Sequence, residues 1–362
     1  VKQYNHIMKK DVDKDKEDEE PLKFYDSKLI VYGIAILLVF TLICFIPKWL
    51  IQPAGNSKLD FSRSGEIGDT IGGIMGPFVA ICAAILTFLA FWIQFKANQQ
   101  QARQFKIQAR DARIDRFENR LSDLIKIHRD NLNEIEIDDF TGRKAFIPMF
   151  QELKYIYFCV KEFFIHSYDN EILLDIAYRI FYLGTADTSL ILIHQSLKDK
   201  LPTQEIKGLL SHLQRHKDLD KTNTLITLET EGLTRQFILE YEPFEGHISK
   251  LGHYFRHLYY TIKFIDSQKE SFLDEEEKYE YAKTVRAQLS DYEQLLLFYD
   301  ICSAFGKSWI SKGFIRSYRM IKNLPLPLAD FGRTPEAIFE NDIKYWAGRG
   351  KYFFEWKDKN WS

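Results

Sequence analysis

Two patterns of polar side chains in this sequence could do chemistry, and both lie where the spacing is helical. The first is GHYFRHLYYTIKFI, Gly252 to Ile265. At about 100° per residue, Ile248, Leu251, Phe255, Leu258, Ile262 and Ile265 share one helical face, and His253, Arg256, His257, Tyr260 and Lys263 share the opposite one. A guanidinium, an ammonium, two imidazoles and a phenol on one face would suit phosphates and stacked bases. The competing reading is an ordinary solvated face with some ring packing. Downstream, Lys283 and Arg286 share a helix face, and GKSWISKGFIRSYRMIK adds Lys307, Lys312, Arg316, Arg319 and Lys322. If these helices converge, they make one basic pocket.

The second pattern is histidine spacing. His212 and His216 stand one helical turn apart, as do His253 and His257, and such pairs can bind zinc. Neither pair has the glutamate of H-E-x-x-H, and the sequence names no third ligand, so no metal or other cofactor is expected. G-x-S-x-G and Cys-His signatures are missing. So is the Arg-to-His spacing of the all-helical HEPN ribonucleases. No residue is nominated as catalytic, and the chain does not read as an enzyme.

A third stretch invites a phosphate-loop reading and then refuses it. GEIGDTIGGIMGPFVAICAAILTFLAFWIQF, Gly65 to Phe95, crowds glycines at its start, but Met75, Gly76 and Pro77 supply no Lys-Ser or Lys-Thr pair, and G-x-G-x-x-G does not occur. From Ile71 to Phe95 there is no charged residue. At about 1.5 Å per residue that run exceeds the roughly 30 Å of a hydrocarbon core. A second uncharged run, LIVYGIAILLVFTLICFIP from Leu29 to Pro47, is just long enough as well.

These elements predict a transmembrane hairpin over 28–95, with helices at about 29–50 and 71–95. Lys9, Lys10, Lys14, Lys16, Lys23 and Lys28 precede the first helix, and Lys96, Arg103, Lys106, Arg110, Arg113 and Arg116 follow the second. The connecting loop has only Lys48, Lys58 and Arg63. Both termini are therefore expected in the cytoplasm, with a short loop outside. A cleaved signal peptide fits poorly, because the leader is long and acid-rich and no A-x-A site follows.

On a helix, Gly65, Gly68, Gly72 and Gly76 fall on one face, flanked by Asp69 and Gly73. Small residues at this spacing let membrane helices approach closely. An acidic residue at the mouth of such a helix marks a candidate pore-lining or gating group. The alternative is an interfacial loop from Gly65 to Gly73, with Pro77 in the first turn of the helix and Asp69 in water.

Residues 1–27 form a charged tail expected to be disordered. From Phe95 to Ile137 there is no Gly or Pro, and Phe105, Ala109, Ala112, Ile114, Phe117, Leu121, Leu124 and Ile125 recur at threes and fours. This predicts a helical stalk over 96–136, either a self-associating coiled coil or a helix packed on its own cytosolic domain. The domain, 137–362, reads as mainly α. Helical runs are Lys144–Tyr168, Glu171–Gly184, Thr188–Lys198, Glu205–His216, Ile248–Ser267 and Glu275–Phe305, with one β-hairpin around Glu231-Gly232. After Asn323 comes a proline-punctuated connection, one short helix and an aromatic tail that docks on the body. The fold class is thus mainly α: a two-helix membrane hairpin, a stalk and an all-α, or α+β, cytosolic domain.

Composition agrees. The 362 residues hold 29 Phe and 19 Tyr, enough for a substantial core, and a net charge of -2 gives no global pull toward nucleic acid. Mean hydropathy of -0.27 is low for a membrane protein, so the membrane part is attached to a large soluble body. Cys44, Cys82, Cys159 and Cys302 lack pairing or metal-type spacing, which fits a reducing compartment for the body.

The Gly65 block through KANQQQARQF, together with GHYFRHLYYTIKFID and YAKTVRAQLSDYEQLLLFYD running on to YRMIKNLP, resembles the membrane-anchored "putative phage abortive infection" family of bacterial proteins. The blocks lie in order from Gly65 onward; Ile137 to Pro243 matches nothing that can be quoted. The resemblance implies anti-phage defence, in which infection triggers arrest or death of the host cell, and it carries over no catalytic residue. Together these readings predict an inner-membrane effector, an oligomer of three or more subunits that opens a pore. Its cytosolic body would read a nucleotide or oligonucleotide signal, or a partner protein encoded in the same operon. The rivals are a membrane-tethered nuclease-type enzyme and a scaffold that recruits a toxic partner.

Overall fold

The computed structural model describes residues 31–36, 38–42, 45, 64–165, 167–186, 189–219 and 225–355, and it is mainly helical. The expected charged tail, the loop between the membrane runs and their Lys9 to Lys28 flank lie outside the described residues. The chain divides into two compact units, Val1–Arg113 and Ile114–Ser362.

In the first unit, Val31–Leu42 is a short apolar helix, α1. Helix α2, Ser64–Asn133, is a single element of 70 residues, about 105 Å long at the standard rise. It starts before the glycines, so Gly65 to Gly73 are helical and Pro77 lies inside the helix, not in its first turn. The proline ring displaces one backbone hydrogen bond, to residue 73. From Met75 onward the helix is long and apolar enough to cross a membrane, with a window of mean hydropathy 2.3 that is 0% buried in the chain. A helix of that composition in the core of a soluble protein would be covered; here Phe78, Ile81, Phe88, Phe91 and Trp92 all face outward. Lys96 sits with its ammonium 5.5 Å from the Trp92 ring, the pairing of aromatic and cation expected where a membrane helix meets water. Gly33, Ile36 and Phe40 of α1 and Val79, Cys82, Ala83 and Leu86 of α2 line one shallow apolar cavity.

The second unit begins inside α2. Phe105 and Ile107 of the expected stalk are exposed, and Phe117 and Leu121 are buried. Phe117 stacks on Phe264 at 5.2 Å and meets Tyr281 edge-on at 5.0 Å, and Tyr281 donates a hydrogen bond to Glu118. The root of the stalk is thus a core helix. After it, β1 (Glu136–Ile137) and β2 (Phe140–Thr141) make a tight hairpin turned by Asp138 at φ 46°, a conformation aspartate tolerates.

Helix α3, Phe146–Phe163, is the axis of the body: from Leu153 to Val160 all but Lys154 are buried. Helix α4, Asn170–Leu183, starts at an Asp169 cap that accepts from the Ile172 amide. Helices α5 (Leu190–Leu197) and α6 (Thr203–Leu219) follow. The expected hairpin is β3, Leu225–Thr230, paired with β4, Leu233–Ile238. Glu231 and Gly232 both take positive φ, 53° and 73°, as a two-residue hairpin loop of the twist-matched type requires. Ile226 and Leu228 alternate inward, and Phe237 meets Tyr155 and Phe158 of α3.

Helix α7, Ile248–Asp266, precedes a correction. The run expected as one helix from Glu275 to Phe305 is two, α8 (Glu275–Arg286) and α9 (Asp291–Cys302). Each opens with a reciprocal capping box, Asp274 with Glu277 and Ser290 with Glu293, which satisfies the free amides of a new helix start. Short helices α10 (Lys307–Ser311), α11 (Phe314–Tyr318), α12 (Pro335–Ile338) and α13 (Glu340–Ala347) complete the body, so the single short helix expected near the end is also two. Trp346, Phe353 and Phe354 are buried, and the aromatic tail is docked as expected.

Candidate functional site

The basic face of α7 is narrower than its sequence suggests. His253, Arg256, Tyr260 and Lys263 are exposed, with Lys263 5.6 Å above the Tyr260 ring. His257 leaves that face: its ring stacks on His128 at 6.0 Å, and its Nδ1 is buried without a hydrogen-bond partner. Lys283 is exposed and paired with Glu280 at 2.9 Å. Arg286 is buried and donates to the carbonyls of Tyr318 and Arg319, so its job is to hold α8 against the turn after α11. Arg316 pairs with Asp342, and Arg319 lies 4.2 Å from the Trp346 ring and donates to Tyr279. The cations expected to converge in one pocket are therefore split among an exposed stripe on α7, exposed residues elsewhere (Lys283, Lys307, Lys312 and Arg316) and the packed interior that holds Arg286 and Arg319.

Inside α7 lies a polar layer that the sequence did not reveal. Glu293, 1% exposed, accepts from the Tyr254 hydroxyl and from the Ser290 amide, and its second oxygen is 3.4 Å from Arg143 Nε. The His128 ring packs 4.6 Å from Tyr254, and neither of its nitrogens has a hydrogen-bond partner. Burial first, then the neighbouring His257 and Arg143 charges, push His128 down to about 4. His257 is lowered by burial, and burial with the Glu293 carboxylate beside it holds the Tyr254 phenol well above its ordinary value. Four elements meet here: the root of α2, the turn before α3, α7 and the first turn of α9. No local spacing links them, which is why only His257 among these residues was a candidate.

Another assembly forms between α3 and α6. His212 and His216, one turn apart on α6, turn toward Glu162 of α3, and the three ligand-type atoms lie within 4.8 Å of one another. This supplies the third group that the His212 spacing lacked. Burial, then the adjacent His216, lowers His212 below the usual imidazole range. A separate buried network ties Glu152 to His247, to the Tyr241 hydroxyl and to the Phe244 amide, which fixes the entry to α7 against α3.

On α2, a Cβ built on Gly65, Gly68, Gly72, Gly73 or Gly76 would meet nothing within 4 Å, and Asp69 is exposed. Among the described residues, nothing covers the stripe.

Residues 246–328 match the family model described as "Putative phage abortive infection protein". Over this segment the family resemblance holds. The matched segment runs from the start of α7 past α11, so it contains Tyr254, His257, Glu293 and the exposed basic stripe. The glycine stripe, His128, Arg143 and the Glu162 cluster lie outside it. Neither a curated protein nor a solved structure matches the chain.

Proposed function

We propose that this protein is an oligomeric membrane effector of abortive infection, sited in the bacterial inner membrane with both termini cytoplasmic. The family match supports the general role in anti-phage defence. The observation that carries the mechanism is the apolar helix itself, which leaves its hydrocarbon surface and its glycine stripe open to lipid or to other helices. Without a hydrophobic effect between helices in lipid, close backbone approach at small residues is what draws them together. Two helices per chain cannot enclose an aqueous path, so a pore needs three or more subunits. Asp69, at the glycine end of the span, would then face water in the assembled channel.

The upper stalk, 96–113, joins this helix to the body without a break, so a change in how bodies associate is transmitted along it as rotation or tilt. The gate would be a signal bound at the α7 stripe, a nucleotide or oligonucleotide held by His253, Arg256, Tyr260 and Lys263, or an operon-encoded partner docked there.

The test is membrane potential, read with a voltage-sensitive dye in phage-infected bacteria carrying the native operon. Gly72→Leu is the informative variant, because a Cβ there meets nothing within 4 Å among the described residues and leucine favours helix over glycine by close to 1 kcal/mol. A loss of depolarisation would then point to contacts that Gly72 makes beyond the described residues, which in the proposed oligomer are those with neighbouring chains. Depolarisation before lysis in the wild type and none with Gly72→Leu is expected. Defence with an intact potential would reduce the membrane helix to an anchor and move the search to an activity of the body.

A further inference from the structure

We propose that Glu162, His212 and His216 form a binding site for one divalent transition-metal ion of the zinc type, which pins α6 to the central helix α3.

Three features of the geometry carry this. The first is spacing. Glu162 Oε2 lies 3.5 Å from His212 Nε2 and 3.3 Å from His216 Nε2. Ligands bound at about 2.0–2.1 Å around a tetrahedral zinc stand about 3.3 Å apart, so two edges of a coordination tetrahedron are already in place.

The second is orientation. His212 hydrogen-bonds the Cys159 carbonyl, and because its Nε2 has no partner, that bond is made by Nδ1–H. In the neutral ring Nε2 then carries a lone pair, and it faces the lone pairs of Glu162 Oε2. Both are buried atoms without a hydrogen bond. Two lone pairs confronting each other on buried atoms are repulsive, and a cation between them turns the repulsion into two bonds. A plain histidine–carboxylate ion pair would instead close a short N–H···O bond, and His212 Nε2, 3.5 Å from Glu162 Oε2, does not do so here.

The third is support around the ligands. Nδ1 of His216 is 3.2 Å from the Tyr155 hydroxyl, so each imidazole is held at its far nitrogen while Nε2 points inward, the arrangement by which outer groups orient metal-bound histidine. Phe163, the neighbour of Glu162 on α3, lies 5.4 Å from the His212 ring and walls one side. Gly208 makes room for it, since a Cβ there would come within 3.0 Å of the Phe163 ring.

The donor set, two neutral imidazoles and one carboxylate, suits zinc and its first-row neighbours and disfavours magnesium and calcium. Three protein ligands leave one position for water. The first consequence is structural: the ion would add a polar clamp between α6 and α3 to the apolar packing of Ile206, Leu209 and Leu213, which are buried in the core.

The experiment uses the full chain, purified in detergent with a tag free of histidine, stripped with a chelator and titrated with zinc against a chromophoric indicator. One zinc per chain is expected, with a rise in the melting temperature of the stripped protein. Cobalt should give the intense visible absorption of a tetrahedral site. Glu162→Gln with His212→Asn should abolish stoichiometric binding, and Tyr155→Phe should weaken it about 10-fold while keeping one ion per chain. His194→Asn, at a histidine of α5 outside this cluster, should leave the zinc stoichiometry unchanged and guards against adventitious uptake at other histidines. Circular dichroism establishes that each variant is folded. Failure of the stripped wild type to bind zinc, or unchanged binding by a folded Glu162→Gln, His212→Asn variant, would overturn the site.

Discussion

Lowering the pH should weaken the junction between the stalk and the body through His128. Its imidazole is held at about 4 against an ordinary 6.5, because it is buried beside Tyr254 with His257 and Arg143 nearby and no acceptor for an added proton. The folded state therefore binds the proton less readily than the unfolded state, and stability falls as pH drops below 6.5, with the loss complete below about 4. The full difference is about 3.4 kcal/mol at 1.36 kcal/mol per unit. By pH 5 the same relation gives about 2 kcal/mol. For a body of this size, that corresponds to a melting temperature about 4–8 °C lower.

The wild-type profile alone does not isolate this effect. Asp300, buried against Tyr178, is pushed up to about 7 and works in the opposite sense, gaining stability as pH falls from 7 toward 4. The assay is therefore a comparison. Full-length wild type and His128→Phe, in the same detergent, are melted at intervals from pH 7.5 to 5. Phenylalanine keeps the ring contact with Tyr254 and removes two polar atoms that have no hydrogen-bond partner, so the variant should match or exceed the wild type at pH 7.5. Its advantage should then grow by about 4–8 °C by pH 5. A constant gap across the range would refute the argument from burial.

Gly184→Ala should be among the most damaging small changes in the body. Gly184 has φ +78°, and a Cβ there would lie 2.5 Å from the Glu245 carbonyl oxygen, so strain and clash together should cost upwards of about 2 kcal/mol in a melt or urea titration. Arg256→Glu reverses a charge on the exposed stripe, so the melting temperature should move by less than the effect of one buried contact. Defence should nevertheless fail if that stripe reads the signal, and full defence by the folded variant would remove it as the sensor. Gly72→Leu should leave the isolated chain intact and abolish the depolarisation, as argued above.

Local pattern made several elements legible in advance. The Gly-free stretch after Phe95 had to be helical. The alternation of Ile226 and Leu228 across from Phe237, with Glu-Gly between the strands, had to be a hairpin. The uncharged run from Ile71 to Phe95 had to be an exposed apolar helix if nothing covered it. Each depends on neighbours within a few residues, where propensity and periodicity act directly. The split of the Glu275 run was missed although its cause is local, because apolar periodicity continues across Gln288 and Leu289 while the Ser290–Glu293 cap restarts the backbone.

Long-range packing decided the rest. Helical spacing put His257 with the cations, and only the arrival of His128 from the stalk drew it inward. Arg286 and Arg319 read as parts of one basic pocket until Tyr279, Trp346 and the carbonyls after α11 enclosed them. His212 and His216 announced a ligand pair, but Glu162 stands about fifty residues earlier on another helix, and no spacing rule connects the two. The sequence by itself determined most of the helical segments and which helix is long and apolar enough to cross a membrane, since burial demand is written in each residue. Which polar groups meet was left to the tertiary structure, because electrostatic and coordination contacts act across space between elements whose separation along the chain is arbitrary.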